Sequence, residues 1–399
     1  MVELWDPDAF VAAPPHEFLA ELRRTQPVYW QDMPTEAGFW AVLKHADVTA
    51  VAREPVLFSA SEGGVVMENL DEVGLERMRD MLLSMDPPRH IAYRRPLVPS
   101  FKAKVIGAME GQIRAICRTI MDDARERRDV DFVHEVAAQL PTQVIGELVG
   151  LPRDDWKRIQ TWAERNTSGQ DTEITDAADA EYGDSNVNMA MYAIELAARR
   201  RAEPPREDLL SLILAGNFGS GPMSDIEFGS FFVQLITAAN DTTKSMLSGG
   251  LLALIEHPEQ EAELRADRNL VPDAVEEILR YANPLHYFRR TATDDTEMRG
   301  VQIRKGDKVL MYYTSANRDE DVFTDAQVFD IHRHPNPQLS FGIGEHFCLG
   351  AHLARLEGRV FFEELLDTFR SFELTGTPRR VRSNLNNGLK ELPVRLLAA

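Results

Sequence analysis

The stretch "LSFGIGEHFCLGAHLARLEGRV", Leu339 to Val360, holds one of the chain's two cysteines between two histidines. Cys348 with His346, His352 and, upstream, His332 and His334 offers enough nitrogen and sulfur for a tetrahedral zinc ion. Yet the spacing fits no common zinc pattern, and His346 and Cys348 point apart if the chain is extended. A buried inert thiol is the plainer alternative, because free cysteine is among the most buried residue types. The glycines speak against both readings. Gly342 and Gly344 permit a tight loop whose N–H groups point at a sulfur, and Gly350 lets a flat group approach the start of a helix. A thiolate at a helix N-terminus is stabilised by the dipole and by those donors. That combination suits a metal-bound sulfur beneath a large planar ligand.

Other constellations carry chemistry of their own. In "EEILRY", Glu277 and Arg280 stand at i, i+3 on one helical face and can pair, although such spacing is ordinarily a surface ion pair. "AANDTT", Ala238 to Thr243, sets an acid beside an alcohol in mid-helix, where both compete for backbone hydrogen bonds. Taken alone, Asp241 could face solvent while Thr242 bonds back one turn. "DPPRHIAYRR" places His90 and Arg94 at i, i+4, and "HYFRRTATDD" offers Arg289 and Arg290. Arginine suits a carboxylate by bidentate hydrogen bonding, but singly each of these reads as a surface charge.

The elements that must position these residues are mostly helical. From Ser224 the chain runs to about Glu256 without a proline, with Glu227 completing a capping box and an apolar middle. It predicts a long, central, buried helix. Further helices are predicted at 87–107, 108–127, 133–150, 181–203, 270–282 and 349–368. Strand signals are short: "PVYW" with "FWAVL", then "VQIRKGDKVLMYY" (301–313) with a turn at Lys305-Gly306-Asp307, and a last pairing near "LKELPVRLL". Residues 314–340 read as a long ordered coil, a feature that tends to be functional. The fold class is mainly α with a small β region, and 1–399 reads as one domain.

Here the sequence resembles a known family. "FGIGEHFCLG" is similar to the haem-binding loop of the cytochromes P-450, the haem-thiolate monooxygenases, whose pattern is F-x-x-G-x-[H/R]-x-C-x-G. The resemblance implies the cytochrome P-450 fold, with a long central helix over a haem b held by Cys348 as the axial iron ligand. It implies that Phe341 shields the sulfur, that Gly342 and Gly350 make room for the macrocycle, and that Ala238 borders it. His90, Arg94, Arg290 and His346 then bind the propionates. Arg290 is preferred to Arg289 because it lies five residues before Asp295, the spacing in bacterial members. No C-x-x-C-H is present, so the haem is held without thioether bonds. Glu277 and Arg280 match the family's structural pair, which packs against the coil before the haem loop. The sequence departs from the pattern at Val328, where Arg or His is usual, and at Ala326, where Pro is usual. Either Arg333 or a backbone carbonyl must substitute as the third partner, or the pair is less constrained. Thr242 then hydrogen-bonds the oxygen under activation and Asp241 relays protons, with Ala239 where the family commonly has Gly.

The activity so implied is reductive activation of molecular oxygen and insertion of one atom into a hydrophobic small molecule. A terpenoid, sterol or aliphatic lipid ranks first. The implied pocket draws on 61–85, 166–190, 231–242, 283–288 and 384–389, through Val65, Val66, Met67, Phe232, Leu235, Leu285, Tyr287, Phe288 and Leu389. A peroxygenase or a non-catalytic haem-binding sensor would share Cys348, but neither needs the Asp241–Thr242 pair. With 64 acidic against 44 basic residues, the chain should repel nucleic acid. No apolar run is long enough for a membrane anchor, and two distant cysteines suit a reducing, cytoplasmic compartment. An acidic ferredoxin or flavodoxin is the implied electron donor. It would dock on the basic cluster of Arg94, Arg95, Lys102, Lys104, Arg355 and Arg359.

Overall fold

The computed structural model describes residues 2–168, 170–175, 184–219 and 221–398. The helices that frame the interior are α1 (His45–Arg53), α2 (Glu110–Arg127), α3 (Gln139–Val149), α4 (Trp156–Thr167), α5 (Ser185–Arg201), α6 (Asp225–Glu256), α7 (Val271–Tyr281) and α8 (Ala351–Thr368). Helix α6 begins where the capping box predicts. The Ser224 hydroxyl accepts the Glu227 N–H at 3.2 Å, and the Glu227 carboxylate accepts the Ser224 N–H at 2.9 Å. Its 32 residues reach about 48 Å at 1.5 Å per residue. Helices α3, α4, α5, α7 and α8 all pack on it, which is why its apolar residues surround most of its circumference. Helix α8, which follows Cys348, lies against α2 and α7.

Two expectations need correction. Pro96 and Pro99 break 87–107 into a short helix, Arg89–Arg94, a turn at Val98–Phe101 and a further short helix, Ala103–Gly107. The strands on either side of the Lys305-Gly306-Asp307 turn do not pair with each other. Val301–Ile303 pairs with Thr296–Met298, while Lys308–Tyr312 enters the main sheet. That sheet comprises β1 (Val28–Gln31), β2 (Phe39–Val42), β3 (Phe58–Ser59), β4 (Tyr287–Ala292) and β5 (Lys308–Tyr312), in the order β1-β2-β5-β4-β3. Every residue of β5 is buried, so the strand must be covered on both faces and takes an interior place. Near the C-terminus, Leu389–Glu391 pairs with Arg379–Arg380, and Pro393–Ala398 pairs with Asp129–Asp131 and Phe369–Leu374.

The coil after β5 is held by a buried ion pair. Glu277 and Arg280 are both 0% exposed and meet in a bidentate bond at 2.7 Å. Arg280 gives its remaining hydrogens to the carbonyls of Asn317 (2.9 Å), Ala326 (2.7 Å) and Val328 (2.8 Å), so all five donors are used. Glu277 also accepts from the Asp330 N–H at 2.8 Å, from Arg333 Nε at 3.1 Å and from Asn336 Nδ2 at 3.2 Å. The departure at Val328 is therefore met in both ways at once: Arg333 bonds Glu277, and the Val328 carbonyl bonds Arg280. Arg333 also donates to the Thr324 carbonyl at 2.6 Å, which ties this partner to the coil itself.

Glu357, on α8, is a second buried acid, and its Oε2 has no hydrogen-bond partner. Burial alone pushes its carboxyl up to about 8.

Two outcomes follow from these buried groups. Glu277→Gln leaves Arg280 buried without its counter-charge and should cost about 3–5 kcal/mol in denaturant unfolding. Arg333→Ala, which removes only the outer partner, should cost about 1–3 kcal/mol. Equal losses would show that the two partners are equivalent. For Glu357, the unfolded carboxyl ionises near pH 4.5 while the folded one stays neutral to about 8. Stability is therefore lost between those values and is level above the upper one. Glu357→Gln should raise the melting temperature clearly at pH 8.5 and little at pH 5; a pH-independent gain would contradict this.

Candidate functional site

The loop before α8 is shaped by its backbone. Gly342 and Gly344 have φ of +67° and +76°, in the region that favours glycine. A methyl on Gly344 would also stand 2.7 Å from the Ala52 carbonyl oxygen of α1, so this loop sits directly on that helix. The Cys348 N–H donates to the Phe341 carbonyl at 2.8 Å, closing the turn. Burial pushes the Cys348 thiol up, while the Gly350 N–H and the charges of Arg94 and Arg355 pull it down. The Arg355 guanidinium lies 4.5 Å from the centre of the Phe341 ring. A Cβ on Gly350 would meet nothing within 4 Å, which leaves room beside the sulfur for a broad flat group.

Around this loop the structure brings His90, Arg94, Arg290 and His346 together. The His90 and His346 rings lie 4.2 Å apart between centroids, tilted by 38°. Neither ring nitrogen of His90 has a partner, nor does His346 Nε2, although all three atoms are buried. Arg290 donates to the Arg289 carbonyl at 2.8 Å, and Arg94 to the Phe347 carbonyl at 2.5 Å. Burial, then the nearby Arg290, His90 and Arg94, push His346 down to about 2. Burial, then Arg94 and Arg290, push His90 down to about 4. Burial likewise lowers both Arg94 and Arg290. The one carboxylate near them, Asp86, is spent on Ser59, Ala60 and Ser61, so this set of donors calls for a further anion. Arg289 is spent elsewhere: it points the other way from β4, onto the Glu68 carbonyl (3.3 Å) and Asn69 Oδ1 (3.1 Å). The residues therefore fit a planar group that carries carboxylates and a metal for sulfur, as a haem does.

On α6 one stripe is left uncovered. Ala238 is exposed and Leu235, Ala239 and Thr242 are half-buried, at i, i+3, i+4 and i+7, while most of the helix is covered. The Thr242 hydroxyl donates to the Ala238 carbonyl at 2.7 Å. Asp241 does not face solvent. It is buried on another side of the helix, where Lys244 Nζ meets its Oδ1 at 2.8 Å and Glu164 Oε1 of α4 at 2.9 Å. Neither Lys244 nor Glu164 was legible as a partner, because Glu164 lies 80 positions away; the i, i+3 spacing of Asp241 and Lys244 was the one local signal.

The pocket assignments divide. Val66, Leu235, Leu285 and Phe288 are half-buried. Phe232 is 1% exposed and packs on Tyr192 and Phe228, so it belongs to the core. Met67 and Tyr287 are buried with Leu4, Phe10 and Tyr312, and the Met67 N–H donates to the Tyr287 hydroxyl at 3.1 Å. Val65 is buried and its carbonyl accepts the Arg289 N–H at 2.9 Å; Leu389 is buried in the main core. These five are packing residues. Of 166–190, positions 169 and 176–183 lie outside the described residues.

The basic docking cluster is also smaller than expected. Arg355 pairs with Glu276, and Arg359 with Glu110 and Glu363, so their charges are already balanced. Arg95, Lys102 and Lys104 are exposed. No described helix is long and apolar enough to cross a membrane.

Comparison with known proteins agrees with this geometry. The sequence profile of the family described as Cytochrome P450 matches residues 188–397. The steroid C26-monooxygenase of Mycolicibacterium smegmatis is 36% identical over 391 residues, which cover 95% of this chain and 90% of that protein. Linalool 8-monooxygenase of Pseudomonas putida is 36% identical, over 99% of this chain and 98% of its own. A Mycobacterium marinum cytochrome P450, solved in complex with pseudoionone, superposes with a TM-score of 0.90 at 36% identity, covering 96% of this chain and 94% of that one. Identity above a third, sustained over nearly the whole length and carried on one fold, settles the matter: the chain belongs to the cytochrome P450 family and is a monooxygenase whose haem iron takes a cysteine thiolate.

Proposed function

We propose that this monooxygenase hydroxylates or epoxidises a hydrophobic small molecule, a terpenoid, a sterol side chain or an aliphatic lipid, at a haem b held by Cys348. The observation that carries the haem placement is the buried, unpartnered ring nitrogens of His90 and His346, with the guanidiniums of Arg94 and Arg290 gathered beside them at the Cys348 loop. These side chains would hold the two propionates, Phe341 would cover the sulfur, and Gly342, Gly350 and Ala238 would border the macrocycle. When bound, the haem supplies reductive activation of oxygen, with the thiolate donating electron density to the iron. The chain's own part is to bind, orient and deliver protons. Thr242 spends its hydrogen on the Ala238 carbonyl, which leaves its oxygen lone pairs free to accept a hydrogen bond at the open stripe. Asp241 is the proton source behind it.

Supporting the substrate class, the half-buried Val66, Leu235, Leu285 and Phe288 are all apolar and suit a ligand held by burial. The relatives named for a steroid and for linalool, and the neighbour holding pseudoionone, point the same way. We further propose that 1–399 acts as one cytoplasmic unit, and that its electron donor is an acidic ferredoxin or flavodoxin. The donor would dock at Arg95, Lys102 and Lys104, the exposed part of the basic cluster.

Reduction of the purified protein under carbon monoxide should give the absorption band for which the family is named. Cys348→Ser should abolish it while His352→Ala keeps it. A panel of terpenoids, sterols and long-chain alkanes should then shift the ferric spectrum toward high spin; a shift only with polar, charged compounds would refute the substrate class. Reversing the charges of Arg95, Lys102 and Lys104 should slow reduction by an acidic ferredoxin and flatten its salt dependence. An unchanged rate and salt slope would place the donor elsewhere.

A further inference from the structure

The central helix carries a buried cation that the proposed function leaves unused. Lys244 sits one turn beyond Asp241 and is shared between two carboxylates, Asp241 at 2.8 Å and Glu164 at 2.9 Å. The same Glu164 oxygen lies 3.7 Å from Nδ1 of His134, whose side chain is 42% exposed and whose Nε2 is 3.8 Å from Asp131. A cavity of about 10 Å³, close to the space of one water, lies among Thr142, Gln160, Glu164, Asn240, Asp241 and Lys244. Its polar wall is fixed, because the Thr142 hydroxyl donates to Asn240 Oδ1 at 2.7 Å. Thr242 lies on the open stripe, so acid and alcohol are turned to different sides of the helix.

We infer that Lys244 and Glu164 are positioning residues for Asp241: they hold its carboxylate on the α4 side of the helix, beside a one-water cavity through which a proton entering past His134 reaches it. The inference rests on the proposed role of Asp241 as proton source. Its physical core is the sharing of one ammonium between two acids. With a single carboxylate partner, protonating Asp241 would strand Lys244 as a lone buried charge, which is strongly unfavourable. With Glu164 as second partner, the ammonium stays balanced when Asp241 becomes the neutral acid. A proton passes from solvent at His134 or Glu164 to the cavity water, and that water gives one of its protons to Asp241. Asp241 then turns about its side-chain bonds away from Lys244, releases the proton on the Thr242 side of the helix, and returns as a carboxylate to Lys244. One proton enters and one leaves, and no other reactant is needed. Burial opposes the Lys244 ammonium, but Asp241 and Glu164 outweigh it and raise its pKa above the usual lysine value. Burial likewise opposes the Glu164 carboxylate, and Lys244 and His134 outweigh it and lower its pKa below the usual range.

The test uses the ferric resting protein and the turning-over enzyme. In infrared spectra at neutral pH, Lys244→Met should show the carbonyl stretch of a newly protonated carboxyl. The band should be absent from Lys244→Met/Asp241→Asn and from Lys244→Arg. In turnover, Glu164→Gln should lower the rate on the order of tenfold. It should also enlarge the solvent deuterium isotope effect and lower the product formed per electron pair consumed, with the substrate-induced spectral shift kept. Lys244→Arg should restore most of what Lys244→Met loses. No new band in Lys244→Met, or a wild-type isotope effect and product yield in Glu164→Gln while Asp241→Asn is slow, would overturn this inference alone. If Asp241→Asn is itself silent in both, the role of Asp241 as proton source fails and the inference falls with it. Should Lys244→Met not fold, Glu164→Gln and Lys244→Arg still decide.

Discussion

The geometry of the whole site depends on one buried ion pair. The coil after β5 has no ladder to satisfy its carbonyls, and buried carbonyls must find donors somewhere. Arg280 supplies them from the side chain of a helix, to Asn317, Ala326 and Val328, and is itself neutralised by Glu277. The effect passes along the chain. Asn317 Oδ1 accepts the Leu339 N–H at 2.7 Å, its Nδ2 donates to the Ser340 hydroxyl at 2.8 Å, and that hydroxyl donates to the Leu279 carbonyl at 2.5 Å. Phe341 and the cysteine loop begin at the next residue. Helix α7 thus helps to set where the cysteine loop begins. The pair is costly to bury and would be a poor choice for stability alone; it makes sense as a device that gives an irregular segment a single conformation.

The same logic explains an apparent violation at the site itself. Elsewhere the molecule balances its charges with care: Arg114 alone meets Glu110, Glu363 and Glu364. Around His90 and His346, by contrast, two guanidiniums and two imidazoles gather with Asp86 as the one nearby acid, itself tied up by Ser59 and Ser61, in a chain of formal charge −20. Burial and mutual repulsion keep both imidazoles neutral at ordinary pH, to about 4 and about 2. A cluster that suppresses its own charge in this way is poised for incoming carboxylates, which would relieve the repulsion and supply acceptors for the orphaned nitrogens. Local disorder in the charge balance marks the place where the fold serves function rather than stability.

How far all this could be read from the sequence depended on the range of each interaction. The extent of α6 was legible because its capping box lies within four residues, and the cysteine loop because its glycines dictate local backbone. The preference for Arg290 over Arg289 rests on the family spacing to Asp295; strand geometry says only that the two neighbours take opposite faces, not which one faces the site. Contacts between distant segments were not legible. Nothing near "VQIRKGDKVLMYY" says that Lys308–Tyr312 prefers β2 and β4 to its own neighbour. Apolar type alone could not separate Phe232, Met67, Val65, Tyr287 and Leu389, which pack in the core, from Leu285 and Phe288, which stay half-buried. The basicity of Arg355 and Arg359 was visible, but the acids that neutralise them come from other helices.

Adjacency in sequence proves the most misleading cue of all at Asp241 and Thr242. Successive residues on an α-helix are separated by about 100° around its axis, so an acid and an alcohol side by side cannot share one face. Thr242 takes the opening, with Ala238 and Ala239, and Asp241 takes the packed side toward α4. The pair is better seen as spanning the thickness of the helix, with Thr242 at the uncovered stripe and Asp241 at Lys244 and Glu164, beyond which lies His134. A helix otherwise wrapped in apolar neighbours tolerates this only because Lys244 and Glu164 complete the charge on the far side. On the proposed role of Asp241 as proton source, the proton's path therefore runs across α6, at the place where two consecutive residues point apart.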